Sequence, residues 1–257
     1  MAVGALCLAV ILSAGCTGSS SGADLSSLTY VTEDYPPYNY MENGSATGIA
    51  VDILKEVAAD AGTPISSGQI RMMKWEEAYN TVLSTPNTVL FAIARLPERE
   101  KDFKWAGPFT TQKMVLFALK SSNITIKGPE DLKNYTIGVV TNDAAIGELK
   151  TLGVPQKNML ADPNPATIID SLQNGKIDLW CYGLEAGMIS ARKTTGSSSF
   201  IEPVYTLDSY DLYYAFNRNT PDQVVALFQQ GLDSVMAKDN QSGTSTYETI
   251  LKRYVSS

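Results

Sequence analysis

Strand-length apolar runs alternate with segments of helical periodicity from Leu28 onward, and the alternation is set out twice along the chain. That pattern constrains the fold more than any other feature. Strands separated by helices are joined as crossovers, which gives parallel sheets covered by helices. In the first series Leu28-Thr29-Tyr30-Val31-Thr32 reads as a strand, and Pro36-Pro37 hold the backbone extended at its C-terminal end. Gly44 and Gly48 bracket a hairpin or turn. Apolar residues at 49, 53, 54, 57 and 58 recur at helical spacing, and Gly62 stops that helix. A strand over 70–73, a helix over 75–83 and a strand over 88–93 complete a β-α-β-α-β order.

A further strand, 114–119, leads through a short capped turn at 128–132 to the second series. Its strands are 135–140, around 159–160 and 177–181, and its helices are 143–149 and 166–172. The chain then forms a strand at 212–216, an amphipathic helix at 223–237 introduced by Pro221, and a final helix at 246–254. The expected fold is α/β with two lobes, each a mostly parallel sheet flanked by helices. Lobe 1 comprises 28–119 plus 216–257, and lobe 2 comprises 120–215. Hinge crossings near 119–120 and 215–217 join them, and the C-terminal helices return to lobe 1. A ligand cleft belongs between the lobes, at strand C-terminal ends.

The residue inventory removes whole classes of function. The chain holds 20 Lys plus Arg against 27 Asp plus Glu, a formal net charge of −7, and no histidine. Without His, a His-ligated zinc or haem site and Ser-His-Asp or Cys-His catalysis are impossible. Three cysteines, two of them near the N-terminus, do not make a thiolate zinc site. No cofactor is expected. A net-negative chain with no long basic run lacks the electrostatic footprint for nucleic acid.

Residues 2–15 are apolar and uncharged. They fall short of the roughly 20 residues of a membrane-spanning helix but suffice for the apolar region of a signal peptide. The stretch ends in Leu12-Ser13-Ala14-Gly15-Cys16, followed by a Gly/Ser tract. Small residues just before a cysteine suit a signal peptidase, and the arrangement resembles the lipobox of secreted lipoproteins. The expectation is a signal peptide over 1–15, lipidation at Cys16 and a flexible tether through 16–27. Cys7 is then discarded and Cys181 is the sole thiol of the folded part. The alternative is a buried N-terminal helix that ends in Cys16.

Three further stretches carry a family resemblance. The first is Glu33-Asp34-Tyr35-Pro36-Pro37-Tyr38, continuing to Gly48-Ile49-Ala50-Val51-Asp52. The second is Leu96-Pro97-Glu98-Arg99-Glu100 with Phe103-Lys104-Trp105-Ala106-Gly107-Pro108-Phe109, and the third is Asn174-Gly175-Lys176-Ile177-Asp178-Leu179. In this order and spacing they resemble the extracellular solute-binding proteins of the family-3 type, the polar amino-acid receptors of ABC importers. The resemblance covers about residues 28–255 and implies a type II periplasmic-binding-protein-like fold.

It also implies a set of site residues. Arg99 pairs with a ligand carboxylate, a role that suits the planar guanidinium fork. Tyr35 packs on the ligand with Tyr38 as support, Trp75 is a bulky cleft residue, and the backbone at Ala92 and Ala94 donates hydrogen bonds. The loop Thr141-Asn142-Asp143 occupies the place that cradles the carboxylate at a helix N-terminus. Two departures stand out. Where amino-acid receptors carry an Asp for the ligand ammonium, this chain has Gly183, so Glu185 or Asp143 must take that role. Asp143 itself replaces a hydroxyl residue and repels a ligand carboxylate unless it turns away as a helix cap. Arg95 offers a second anionic contact.

Blander readings stand beside these. Arg99 pairs with Glu98, Glu100 or Asp102 on a solvated turn, and Arg95 closes a salt bridge between lobes. Tyr35 and Tyr38 pack on the proline rings, Trp75 and Trp105 are core, and Glu33 and Asp34 lie on a solvated turn. Period-two alternation puts Trp180 and Tyr182 on one strand face and Cys181 on the other. The expected function is a monomeric, lipid-anchored receptor on the outer face of the cytoplasmic membrane. It captures a small polar carboxylate-bearing solute by lobe closure and delivers it to an ABC permease, without chemistry. The alternatives are a dehydratase-like enzyme working through Asp143, Glu185 or Glu33, and a ligand sensor for a separate signalling partner.

Overall fold

The computed structural model describes residues 24–239 and 243–255. The expected signal peptide and Cys16 lie outside the described residues. The chain opens with β1 (Thr29–Thr32) and a hairpin of β2 (Tyr40–Glu42) and β3 (Ser45–Thr47). At its tip Asn43 and Gly44 have φ of 49° and 78°, the left-handed pair that a two-residue hairpin needs. Next come α1 (Ile49–Asp60), β4 (Ile70–Met72), α2 (Trp75–Ser84), β5 (Thr88–Ala94) and β6 (Phe103–Leu119). The second series is β7 (Ile137–Val140), α3 (Ala144–Thr151), β8 (Met159–Asp162), α4 (Pro165–Gln173), β9 (Leu179–Gly183) and α5 (Leu184–Thr195). β10 (Ile201–Asn217), α6 (Asp222–Met236) and α7 (Thr246–Val255) complete the chain as described.

Eight strands form one sheet in the order β4-β1-β5-β10-β6-β9-β7-β8. The two wings, β4-β1-β5 and β9-β7-β8, are parallel. The central pairs, β5-β10, β10-β6 and β6-β9, are antiparallel. The α/β architecture with parallel sheets flanked by helices is therefore as expected. β5 and β7 are buried at every position, which is why they read as unbroken apolar runs.

Sequence patterning missed the length of the two central strands. β6 and β10 each span 17 residues and run side by side through both wings. The missed portions include Thr110-Thr111-Gln112-Lys113 and Asp208-Ser209-Tyr210-Asp211. Their mixed polarity hides a strand, because this stretch bridges two cores instead of lying inside one. The change of wing falls within these strands. Residues 212–216 of β10 pair with β5, while residues 114–117 of β6 already pair with β9. The expected crossing at 119–120 thus lies beyond residues already committed to the second wing. α5 was not foreseen, because its buried face is made of small residues, Ala186, Gly187 and Ala191. Gly187 admits the Phe117 ring, which would stand 2.3 Å from a Cβ at that position.

β9 divides the interior as its alternation predicts. Trp180 and Tyr182 join the larger core with Phe117, Ile168 and Ala186, and Cys181 faces a second core with Leu116, Val139 and Leu149. The C-terminal helices return to the first wing. Gly231 of α6 packs on Val57 of α1, and α7 docks through Tyr254, whose hydroxyl donates to Asp52 Oδ2 at 2.7 Å and accepts from the Gly48 N–H at 3.3 Å. Arg253 pairs with the same carboxylate at 2.9 Å. Tyr254→Phe is expected to lower the unfolding free energy by about 1 kcal/mol, read as a lower urea midpoint of the full chain. An unchanged midpoint would assign the docking to Arg253 alone.

Candidate functional site

The site is built at the C-terminal end of β5. Ala92 has φ 59°, and the β10 register skips it, with Tyr213 opposite Ile93 and Tyr214 opposite Phe91. Ala92 is therefore the extra residue of a β-bulge, released from the ladder. β1 pairs with β5 only as far as Leu90; beyond it the Phe91 carbonyl accepts from Thr32 Oγ1 at 3.1 Å. Left-handed backbone at a non-glycine residue costs energy and recurs at ligand sites.

Directly after β5, Pro97-Glu98-Arg99 form one turn of 3-10 helix. It folds Arg99 back toward α2, where the residue is 6% exposed. The guanidinium carbon stands 5.5 Å from the Trp75 ring centroid and 5.4 Å from that of Tyr79. Nη1 donates to the Ala94 carbonyl at 3.3 Å. Trp75 and Tyr79 lie one helical turn apart on α2 and so share a face, a spacing that could have pointed to Tyr79. Among the described residues Arg99 forms no ion pair. The solvated-turn reading of this arginine does not describe it.

Arg95 goes the other way. It is exposed, forks onto the Glu100 carboxylate through Nε and Nη2, and lies 5.6 Å from the ring centroids of Trp105 and Tyr213. Residues one apart at a strand end point to opposite sides, so Arg95 leaves the cleft while Ala94 lines it. It closes no bridge to the second wing. Trp105, expected in the core, is half-buried and serves as the platform for Arg95.

Tyr35, Trp75, Ala92, Ala94, Arg99 and Asp143 line one cavity. Tyr35 is buried, and its hydroxyl donates to Gln112 Oε1 of β6. The ring meets Tyr182 edge-on at 5.3 Å and stacks on Tyr38 at 5.4 Å. Tyr38 stands behind Tyr35 and supports it without lining the cavity. Gly183 explains the arrangement. A Cβ there would lie 2.2 Å from Tyr35 Oη and 2.9 Å from Gln112 Oε1, so the place expected to hold an Asp is filled by the Tyr35–Gln112 pair. Gln112 escaped sequence reasoning; its only signal was a polar run inside an otherwise apolar strand.

The loop Thr141-Asn142-Asp143 meets the first wing through Trp75, whose Nε1–H donates to the Asn142 carbonyl at 3.1 Å. Thr141 is held to β8 by its N–H on the Asp162 carbonyl at 3.2 Å. Asp143 caps α3, Oδ1 accepting from the Ala145 N–H at 2.8 Å. The loop thus closes its own helix terminus with a carboxylate and leaves less of it to cradle a ligand anion. Glu185 is exposed on the first turn of α5, and its charge acts on Tyr38 instead of on the cavity.

Glu33, expected on a solvated turn, lines the cavity, while Asp34 is exposed and pairs with Lys193 of α5 at 3.4 Å. Burial pushes the Glu33 carboxyl well above the usual range; Asp143 and Asp34 add to the shift and Arg99 opposes it. Burial also raises Asp143, against the Ala145 N–H and the Arg99 charge. The cavity therefore offers one fixed cation, two carboxyls that resist ionisation, and aromatic walls. Among the described residues no group of three or more His, Cys, Asp or Glu is placed to hold a metal ion, and no helix is long and apolar enough to cross a membrane.

Two wings meeting around an arginine at a strand end, with a small cavity beside it, make up a periplasmic-binding-protein-like fold. The model of the bacterial extracellular solute-binding proteins, family 3, matches residues 28–256, and the chain belongs to this family. It is 23% identical over 227 residues to the "Probable histidine-binding protein" of Campylobacter jejuni, covering 86% of this chain and 81% of that one. The arginine-binding extracellular protein ArtP of Bacillus subtilis is 27% identical over 52% of each chain. The fold is shared with a histidine kinase sensor domain that is similar to periplasmic binding proteins. That comparison has a TM-score of 0.76 and 23% identity, and it covers 88% of this chain and 96% of the other.

Proposed function

We propose that the protein is an extracytoplasmic receptor for a small polar solute bearing a carboxylate, an amino acid or a related compound. It binds this solute without chemical change and presents it to the permease of an ABC uptake system. The observation that carries this reading is Arg99, buried against the adjoining Trp75 and Tyr79 rings at the cleft with no carboxylate within ion-pair distance among the described residues. A buried guanidinium without an anion is costly, and a ligand carboxylate supplies the missing charge in a bidentate geometry. The relatives named for histidine and arginine support an amino acid as the cargo.

In this reading the lobes are 28–119 plus 216–257 and 120–215, moved to the extent that β6 and β10 carry the hinge within their length. Contacts across the cleft, Trp75 to Asn142 and Lys193 to Asp34, belong to the closed form that the ligand stabilises. The monomer is held at the outer face of the membrane through Cys16. The likeness to a sensor domain makes signalling through a separate partner the second reading.

The test titrates the purified chain with L-arginine, L-histidine, L-glutamine and L-glutamate. The expected result is a rise in melting temperature with at least one of them, about 2.7 kcal/mol of stabilisation at a hundredfold excess over Kd, with a smaller radius of gyration in solution scattering. If none binds at millimolar concentration, the reading fails. Loss of cellular uptake of that amino acid on deleting the gene supports import; intact uptake with an altered transcriptional response supports sensing.

A further inference from the structure

Gly183 removes the carboxylate expected to meet the ligand's ammonium, yet the cavity holds two carboxylates from elsewhere. Glu33 follows β1 in the first wing and Asp143 precedes α3 in the second, so they approach the cavity from opposite sides of the cleft. Among the described residues neither forms an ion pair. One oxygen of Asp143 is used by its own helix cap, and the Glu33 carboxylate has no hydrogen-bond donor among the groups that shift it.

The same cavity contains two polar side chains that are nine-tenths buried. Arg99 has no carboxylate within ion-pair distance, and Gln112 engages Tyr35 through Oε1 while its Nε2 has no partner among the described residues. Both side chains line the cavity with donor capacity that protein atoms leave unused, and polar groups held this deep are ordinarily satisfied by a partner. A ligand that answers all of them carries a carboxylate for Arg99 and positive charge for the two acids.

We propose, on the receptor reading above, that Glu33 and Asp143 form a clamp across the cleft for the cationic part of the ligand, and that the solute selected is an α-amino acid of net positive charge. With one fixed cation and two acids, a ligand with one carboxylate and two cationic groups leaves no unpaired charge in the closed cavity. A zwitterion of zero net charge leaves one acid protonated or unpaired, which is costly in a dry site. Glu33 faces Asp143, Asp34 and Arg99, and Asp143 faces Arg99; the phenols of Tyr35 and Tyr182 and the Cys181 thiol stand near them and are neutral. A cationic ligand favours the ionised acids, so its binding takes protons off them and weakens as pH falls through their raised pKa values. Glutamine, with a single cationic group, draws on only one ionised acid and shows a weaker dependence.

The experiment is calorimetric titration of the full chain with L-arginine and with L-glutamine. The wild type is expected to prefer arginine by at least about tenfold, with proton release that grows toward acidic pH. Glu33→Gln and Asp143→Asn are each expected to weaken arginine more than glutamine, reducing that preference to about threefold or less. Asn is as good an N-cap as Asp, so Asp143→Asn leaves α3 intact. Equal affinity of the wild type for both probes, or an arginine preference that survives both substitutions, overturns the clamp and leaves the receptor reading standing. Binding of neither probe overturns the clamp, and the receptor reading falls with it only if L-histidine and L-glutamate fail to bind as well.

Discussion

Arg99→Ala is expected to abolish amino-acid binding in any practical range, weakening it by about 100-fold or more, while the fold persists. Removing one member of a buried, hydrogen-bonded charge pair costs about 2–5 kcal/mol of affinity, and each 1.4 kcal/mol or so is a factor of ten. The loss falls on every ligand that presents a carboxylate, regardless of its side chain. Arg99→Lys is expected to fail nearly as badly, because an ammonium cannot reproduce the fork or the guanidinium's contact with the Trp75 and Tyr79 rings. Circular dichroism and melting temperature of both variants control for folding. Affinity within tenfold of the wild type for Arg99→Ala would move the carboxylate site elsewhere.

Gly183→Ala comes next in size, and it acts without altering any charge. The new methyl group would stand 2.2 Å from Tyr35 Oη and 3.2 Å from Tyr35 Cζ, so the tyrosine must leave its place. That breaks the bond to Gln112, the edge contact with Tyr182 and the stack on Tyr38. Overpacking of a filled site costs about 1–3 kcal/mol, and here the cost falls on the closed form in which these groups meet. Affinity is expected to drop by about 10- to 100-fold, with a smaller effect on melting temperature without ligand. Tyr35→Phe removes the colliding oxygen, so the double variant is expected to recover part of the loss, a coupling that distant sites do not show. If Gly183→Ala binds as well as the wild type, the Tyr35–Gln112 pair does not shape the ligand site.

These two expectations differ in how far the sequence alone reaches them. Arg99 is legible because its motif is local: a Pro-Glu-Arg turn after a buried strand places a guanidinium at a strand end whatever the rest of the chain does. Gly183 is legible only as a departure. That a tyrosine far away in the chain fills its place follows from how β1, β6 and β9 come together around the cleft. Arg95 shows the same limit from the other side. Its spacing from Arg99 suggested a second anionic contact, but strand alternation and the Glu100 carboxylate draw it to the surface.

By itself the sequence determined the order of strands and helices apart from α5, the two-faced alternation at Trp180, Cys181 and Tyr182, and the arginine that follows β5. All of these rest on periodicity and motifs within a few residues, where sterics and hydrophobic burial act without knowledge of the rest of the fold. Only the tertiary structure decided that Glu33 lies in the cavity and not on a solvated turn, that Gln112 lines the same cavity and Tyr79 packs on Arg99, and that β6 and β10 carry the chain across both wings. Each of those depends on surfaces that meet only when the two wings pack together. Burial, and with it the charge state of a carboxyl group, is a property of that meeting and is written in no single stretch of sequence.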